Sequence, residues 1–163
     1  MNRFIISGRK EDYSIFLHCL CGNEIIQFYY YKQDSVLGEI LGLKYYGALK
    51  DPSQSIYNHF QFDSTSFADL ILKLEIFIKD DSREVLKYYI AHQKEDILKI
   101  EKDEDGFYLL RRSKSLKDSM EDIYLWDITF REEEAIELLS ALRKLQKYII
   151  DNRNPAKTNK ISV

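Results

Sequence analysis

Alternation of apolar and polar positions is clearest between residues 13 and 31, where "YSIFLHCLC" and "EIIQFYYY" flank Gly22-Asn23. Gly followed by Asn between two such runs is a two-residue hairpin signal: Gly takes the first central position of a type II′ turn and Asn tolerates positive φ. That turn pairs Cys21 with Glu24, Cys19 with Ile26, Leu17 with Phe28 and Phe16 with Tyr29. Because side chains alternate along a strand, one face then holds Ile15, Leu17, Cys19, Ile26, Phe28 and Tyr30. The other holds Phe16, His18, Leu20, Gln27, Tyr29 and Tyr31. The first set reads as a core face, the second as a half-exposed platform.

Helical spacing replaces alternation in two places. Apolar residues recur at 67, 70, 71, 74, 77 and 78, and again at 135, 138, 139, 142, 145 and 149. Ser66-x-x-Asp69 and Thr129-x-x-Glu132 have the form of capping boxes for these helices. Laying residues 60–78 over 128–146, an offset of 68, matches Phe62 with Phe130, Leu70 with Leu138 and Leu74 with Leu142. The same offset brings Gly38 onto Gly106. The chain therefore reads as α+β, two β-β-β-β-α repeats in which each antiparallel sheet has its C-terminal helix packed on one face. Unit one, 1–80, has strands near 13–21, 24–32, 38–47 and 56–63 and a helix near 65–79. Unit two, 81–150, has strands near 84–92, 96–102, 107–113 and 123–130 and a helix near 131–150. Residues 3–7 add an edge strand, and "SVLGEILGLK" within 36–46 is compatible with strand or helix. The two units share one core by packing their sheets or exchanging their helices. The polar tail 151–163 reads as disordered.

Composition adjusts this picture little. A chain of 163 residues with 45% hydrophobic and 31% charged residues suits one globular domain or two small repeats on a common core. Twelve Tyr and nine Phe against six Gly and two Pro favour strands. The net charge of −3 supplies no global attraction to nucleic acid or an anionic membrane, so any such binding needs a local patch. Two cysteines do not make a disulfide scaffold, and no apolar run approaches the roughly 20 residues of a membrane helix. The expectation is a cytoplasmic protein without cofactors.

Candidate chemistry is sparse. Cys19 and Cys21 lie on one side of a strand about 6.5–7 Å apart, too far for a disulfide. No second cysteine pair completes a zinc site, so they read as buried, inert thiols. The acidic run Asp103, Glu104, Asp105 reads as a solvated turn. No nucleophile elbow, P-loop or dinucleotide fingerprint is present, which argues against an enzyme. In unit two, the turn "DEDG" places Leu98, Ile100, Phe107 and Leu109 on one face and Lys99, Glu101, Tyr108, Leu110 and Arg112 on the other. The stretch "FYLLRRSKSLK" carries four cations and no acid. The offset of 68 equates Lys99 with Tyr31 and Arg112 with Lys44. The outer faces then combine Tyr29, Tyr31, Tyr46 and Tyr108 with Lys44, Lys99, Arg112 and Lys114, a set suited to stacking bases and meeting phosphates.

With its β4-α layout, the string "ILKIEKDEDGFYLLRRSKSLKDSMEDIYLWDITFREEEAIELLSAL" (97–142) resembles a PUR repeat, to which the Whirly proteins are a related arrangement. The resemblance implies single-stranded DNA or RNA bound by a sheet face, with two repeats intertwined in one domain. Its turn is shorter and more acidic than that family's, and unit one has no comparable basic strand. The other reading is a protein-binding module of the inhibitor, immunity or phage-accessory kind that uses the same Tyr-rich surface, with a second copy of the chain among its partners.

Overall fold

Two antiparallel meanders, each running into a helix, make up the computed structural model, which describes residues 4–9, 14–21, 24–32, 39–47, 59–62, 65–79, 86–90, 93–115 and 122–153. The first meander is β1 (Phe4–Arg9), β2 (Ser14–Cys21), β3 (Glu24–Lys32), β4 (Glu39–Tyr46) and β5 (His59–Phe62), followed by α1 (Ser66–Lys79). The second is β6 (Leu86–Ile90), β7 (Gln93–Lys102), β8 (Tyr108–Ser115) and β9 (Asp122–Phe130), followed by α2 (Glu132–Arg153). Strands pair in chain order, giving an α+β architecture of one five-stranded and one four-stranded sheet. The 36–46 segment is a strand from Glu39 onward. The α2 helix runs to Arg153, three residues past its expected end, and residues 154–163 lie outside the described set.

The first hairpin has the register that its Gly-Asn turn dictates: Cys21 opposite Glu24, Cys19 opposite Ile26, Leu17 opposite Phe28 and Phe16 opposite Tyr29. Ile15, Leu17, Cys19, Ile26, Phe28 and Tyr30 are all buried, whereas Phe16, His18, Leu20 and Gln27 are half-buried. Gly22 and Asn23 themselves lie outside the described residues.

Helix caps sit differently from the sequence expectation. The first intrahelical bond of α1 runs from Asp69 N–H to Thr65 C=O (3.0 Å), so Thr65 occupies the N-cap. In α2 it runs from Ala135 N–H to Arg131 C=O (2.9 Å), and Thr129, expected as a cap, is still in β9 opposite Leu109. The acids Asp69 and Glu132–Glu134 nevertheless fall in the first turns, where they complement the helix dipoles.

The core is one continuous cluster drawn from both sheets and both helices. Phe67 of α1 packs on Phe28 and Phe62 of the first sheet, and Phe77 meets Tyr108 of the second, centroids 5.5 Å apart. The apolar stripe of α2 lies along α1 and chiefly along β2 and β1. Of the two expected ways of sharing a core, α2 takes the exchanged one: it lies more along β2 and β1 of the first sheet than along β9 of its own. Leu138 and Leu142 line a small apolar cavity with Phe28 of the first sheet and Ile100, Tyr108, Leu110 and Phe130 of the second, so the stripe of α2 serves both sheets.

Two contacts bind the sheets directly. Tyr45 of β4 stacks on Trp126 of β9 at 4.7 Å with a 4° interplanar angle. Arg112 of β8, only 1% exposed, lies over the Phe60 ring (4.9 Å) and donates from Nη1 to the His59 carbonyl at 2.7 Å. A charged donor on a buried carbonyl contributes about 1.5–3 kcal/mol, and the apolar stem adds packing. Arg112→Ala is therefore expected to lower stability by about 2–4 kcal/mol in urea denaturation. Truncation of half-buried Lys44, whose ammonium rests on a surface ring, should cost no more than about 0.5 kcal/mol.

Candidate functional site

The outer face of the first sheet is assembled by register. Across β3 and β4, Tyr46 stands opposite Ile25, Lys44 opposite Gln27, Gly42 opposite Tyr29 and Ile40 opposite Tyr31. On either side, β2 contributes Phe16, His18 and Leu20, and β5 contributes His59 and Gln61. The rings contact one another. Phe16 meets Tyr31 edge-on at 5.5 Å, Tyr29 lies 5.5 Å from Tyr31, and His59 stands edge-on to Tyr29 at 6.0 Å. The Lys44 ammonium sits 4.7 Å from the Tyr46 ring centroid. The Gln27 amide donates to His18 Nε2 (2.9 Å) and accepts from the Tyr46 hydroxyl (3.4 Å).

Glycine at 42 makes the centre of this platform possible. A Cβ there would come within 2.4–2.5 Å of the Tyr29 ring end and 2.8 Å of the Phe60 carbonyl. The Tyr29 ring therefore lies down over Gly42 and is 9% exposed, while Tyr31 and Tyr46 stand out at 36% and 42%. Burial, then the neighbouring Tyr31 and Tyr46, raises the Tyr29 hydroxyl above its usual range. Burial, then Lys44 and Arg112, lowers the His59 imidazole, and the Tyr29 hydroxyl reaches its Nδ1 at 3.5 Å.

Charge is sorted between the two sides of this sheet. None of its outward positions in β1–β5 is Asp or Glu. The carboxylates of its strands belong to the inward side: Glu24 accepts from Tyr45 (2.6 Å) and Glu39 from Tyr30 (2.7 Å). Burial first, and then that bond to Glu24, raises the Tyr45 hydroxyl far above its normal range. Outward, the described side chains carry Lys44, His18 and His59 and no acid.

The second sheet departs from the sequence expectation by one residue. Its β7–β8 connection is five residues long: Asp103 N–H donates to the Phe107 carbonyl (2.9 Å), and Gly106 adopts φ +87°. The Asp103 carboxylate accepts from the N–H groups of Asp105 (3.0 Å) and Phe107 (2.8 Å), so Phe107 stays out of the ladder. Lys102 then pairs with Tyr108, Ile100 with Leu110 and Leu98 with Arg112. A slip of one residue turns every side chain over. Tyr108 (2% exposed) and Arg112, expected on the open face, are core residues, and the equation of Arg112 with Lys44 fails in facing.

Of the other expected residues, Lys99 does face away from the core but is buried, and Lys114 lies opposite Asp96 and Ile123 with its side chain outside the described set. Beside Lys99, Arg111 is held by Glu101 (2.5 Å) and Asp127 (3.7 Å). Glu101 and Asp127 thus hold the Arg111 charge, while Lys99 and, opposite it, Lys87 are further cations at positions of this side. Tyr29, Tyr31, Lys44 and Tyr46 are brought together on the first sheet, and Tyr108, Arg112 and Lys99 are not among them. His59 belongs to the group although it stood out in the sequence only as one of three histidines. Its place opposite Lys44 follows from the β4–β5 register.

No protein-family model matches the chain, and no curated protein matches it. A solved structure, described as crystal structures of Trypanosoma bruciei MRP1/MRP2, aligns with 93% of this chain and 86% of its own at 12% identity and a TM-score of 0.42. A likeness that low carries no argument, and the functional reading rests on the side chains.

Two outcomes test this geometry. Gly42→Ala should cost about 1–3 kcal/mol, because the new methyl lifts the Tyr29 ring, and it should alter the near-ultraviolet tyrosine dichroism. Adding Tyr29→Ala should recover only part of the loss, since the Phe60 carbonyl still crowds the methyl. For His59, the folded state favours the neutral ring. Its contribution is thus fully present above an unfolded pKa of about 6.5 and declines as pH falls below it. In denaturation series from pH 8 to 5, the difference between wild type and His59→Gln should stay flat above pH 7 and move against wild type on acidification.

Proposed function

We propose that the chain is a non-enzymatic module that binds single-stranded nucleic acid on the outer face of the first sheet. The observation that carries this reading is an aromatic face, with Phe16, Tyr31, Tyr46 and Lys44 accessible, that bears no acid at any outward position in a chain of net charge −3. Bases stack on Tyr and Phe rings without sequence preference, and a lysine ammonium meets the phosphate. Unpaired bases suit this surface because a duplex conceals the faces that rings stack on. In this reading the two β-sheet-plus-helix halves are one duplicated PUR-like unit. Only the first has kept an open binding face, while the second supplies core.

The second reading is a protein-binding module using the same surface. It is favoured by two exposed residues, Ile25 opposite Tyr46 and Ile5 opposite His18, which give the face an apolar margin. Fluorescence anisotropy with labelled single-stranded DNA and RNA, at two salt concentrations, separates the two. The nucleic-acid reading predicts micromolar or tighter binding that weakens with salt. Tyr31→Ala and Tyr46→Ala should each lose about 1–3 kcal/mol, roughly 5- to 150-fold in affinity. Lys73→Ala, at an exposed position of α1, should leave affinity within about twofold. No binding at low salt would overturn the reading in favour of a protein partner.

A further inference from the structure

Resting on the nucleic-acid reading, we infer that the face is a linear, polarised track that holds one run of about four to six nucleotides along β3 and β4, with a base stacked at each end. The length follows from register. Tyr46 stands opposite Ile25, and Tyr31 lies six residues farther along β3. At about 3.4 Å per residue the two rings are about 20 Å apart along the strands. Stacked nucleotides at about 3.4 Å each would fill that span with six, and a splayed strand would fill it with fewer.

The accessible rings are at the ends, not the middle. Between them Tyr29 lies flat over Gly42, a low floor for sugar and phosphate to cross. The ends also differ chemically. At one, the Lys44 ammonium rests on the Tyr46 ring; a stacking base displaces it onto the phosphate of the same nucleotide. At the other, Tyr31 is buttressed edge-on by Phe16, the residues opposite it, Ser14 and Ile40, carry no charge, and the cation on that line, Arg9 opposite Ser14, is two strands away with its side chain outside the described set. Among the described side chains, one end therefore works through charge and stacking together, the other through stacking.

The test is a titration of the full chain with labelled oligothymidylates of two to twelve nucleotides at several salt concentrations. Affinity should rise steeply to about six nucleotides and then level. Lys44→Ala should flatten the salt dependence by about one phosphate contact, whereas Tyr31→Ala should weaken binding at unchanged salt slope and bring the plateau to shorter lengths. Circular dichroism of each variant checks that these surface substitutions leave the fold intact. A dinucleotide that binds as tightly as the longest oligomer, a steep rise that continues to twelve, or equal salt slopes in the two variants would overturn the track while leaving nucleic-acid binding in place. No binding at any length would overturn the binding reading itself.

Discussion

A guanidinium withdrawn from water must find acceptors, and Arg112 finds one in the carbonyl of His59, on a strand of the other sheet. The rest of the arrangement depends on that bond. It anchors the inward side of β8, on which Tyr108 and Leu110 also lie. It holds β5 against the second sheet with Phe60 under the guanidinium. It also places a positive charge behind His59, on the platform side of the molecule, without exposing it. A cation that looked like surface chemistry is structural, and its electrostatic effect still reaches the surface through one histidine.

The two sheets divide the remaining charge differently. In the first, carboxylates face inward at the rim and are satisfied by the tyrosines Tyr30 and Tyr45, leaving the outward positions of the described strands free of acids. In the second, Arg111 is clamped by Glu101 and Asp127, so its charge is engaged within the sheet. Among the described residues, an acidic chain thus presents an aromatic, weakly cationic surface on its first sheet. Surface charge clustered by strand register, not total charge, decides which polyanion or protein can approach.

Strand and helix positions were legible because period alone carries them: alternation through 13–32, and the 3.6-residue stripe of α2, all of whose expected core positions from Ala135 to Ile149 are buried. The first hairpin was legible to the residue because Gly-Asn dictates a two-residue turn. The second was not. "DEDG" contains a Gly that can end either a four- or a five-residue loop, and the choice rests on the Asp103 carboxylate capturing two backbone N–H groups. That single residue of length reversed Tyr108 and Arg112. The site was half legible for the same reason: Tyr29, Tyr31, Lys44 and Tyr46 lie in strands whose register was simple, and His59 joins them across a connection whose length no local pattern announces.

The most direct test of the central claim, that the first sheet alone offers the binding face, is an amide chemical-shift map of the isotope-labelled protein on addition of a six-nucleotide single-stranded oligomer. Perturbations concentrated in β2–β5, with β7–β9 and both helices largely unmoved, are the expected result. Perturbations centred on β7 and β8 around Lys99 and Arg111 would contradict it.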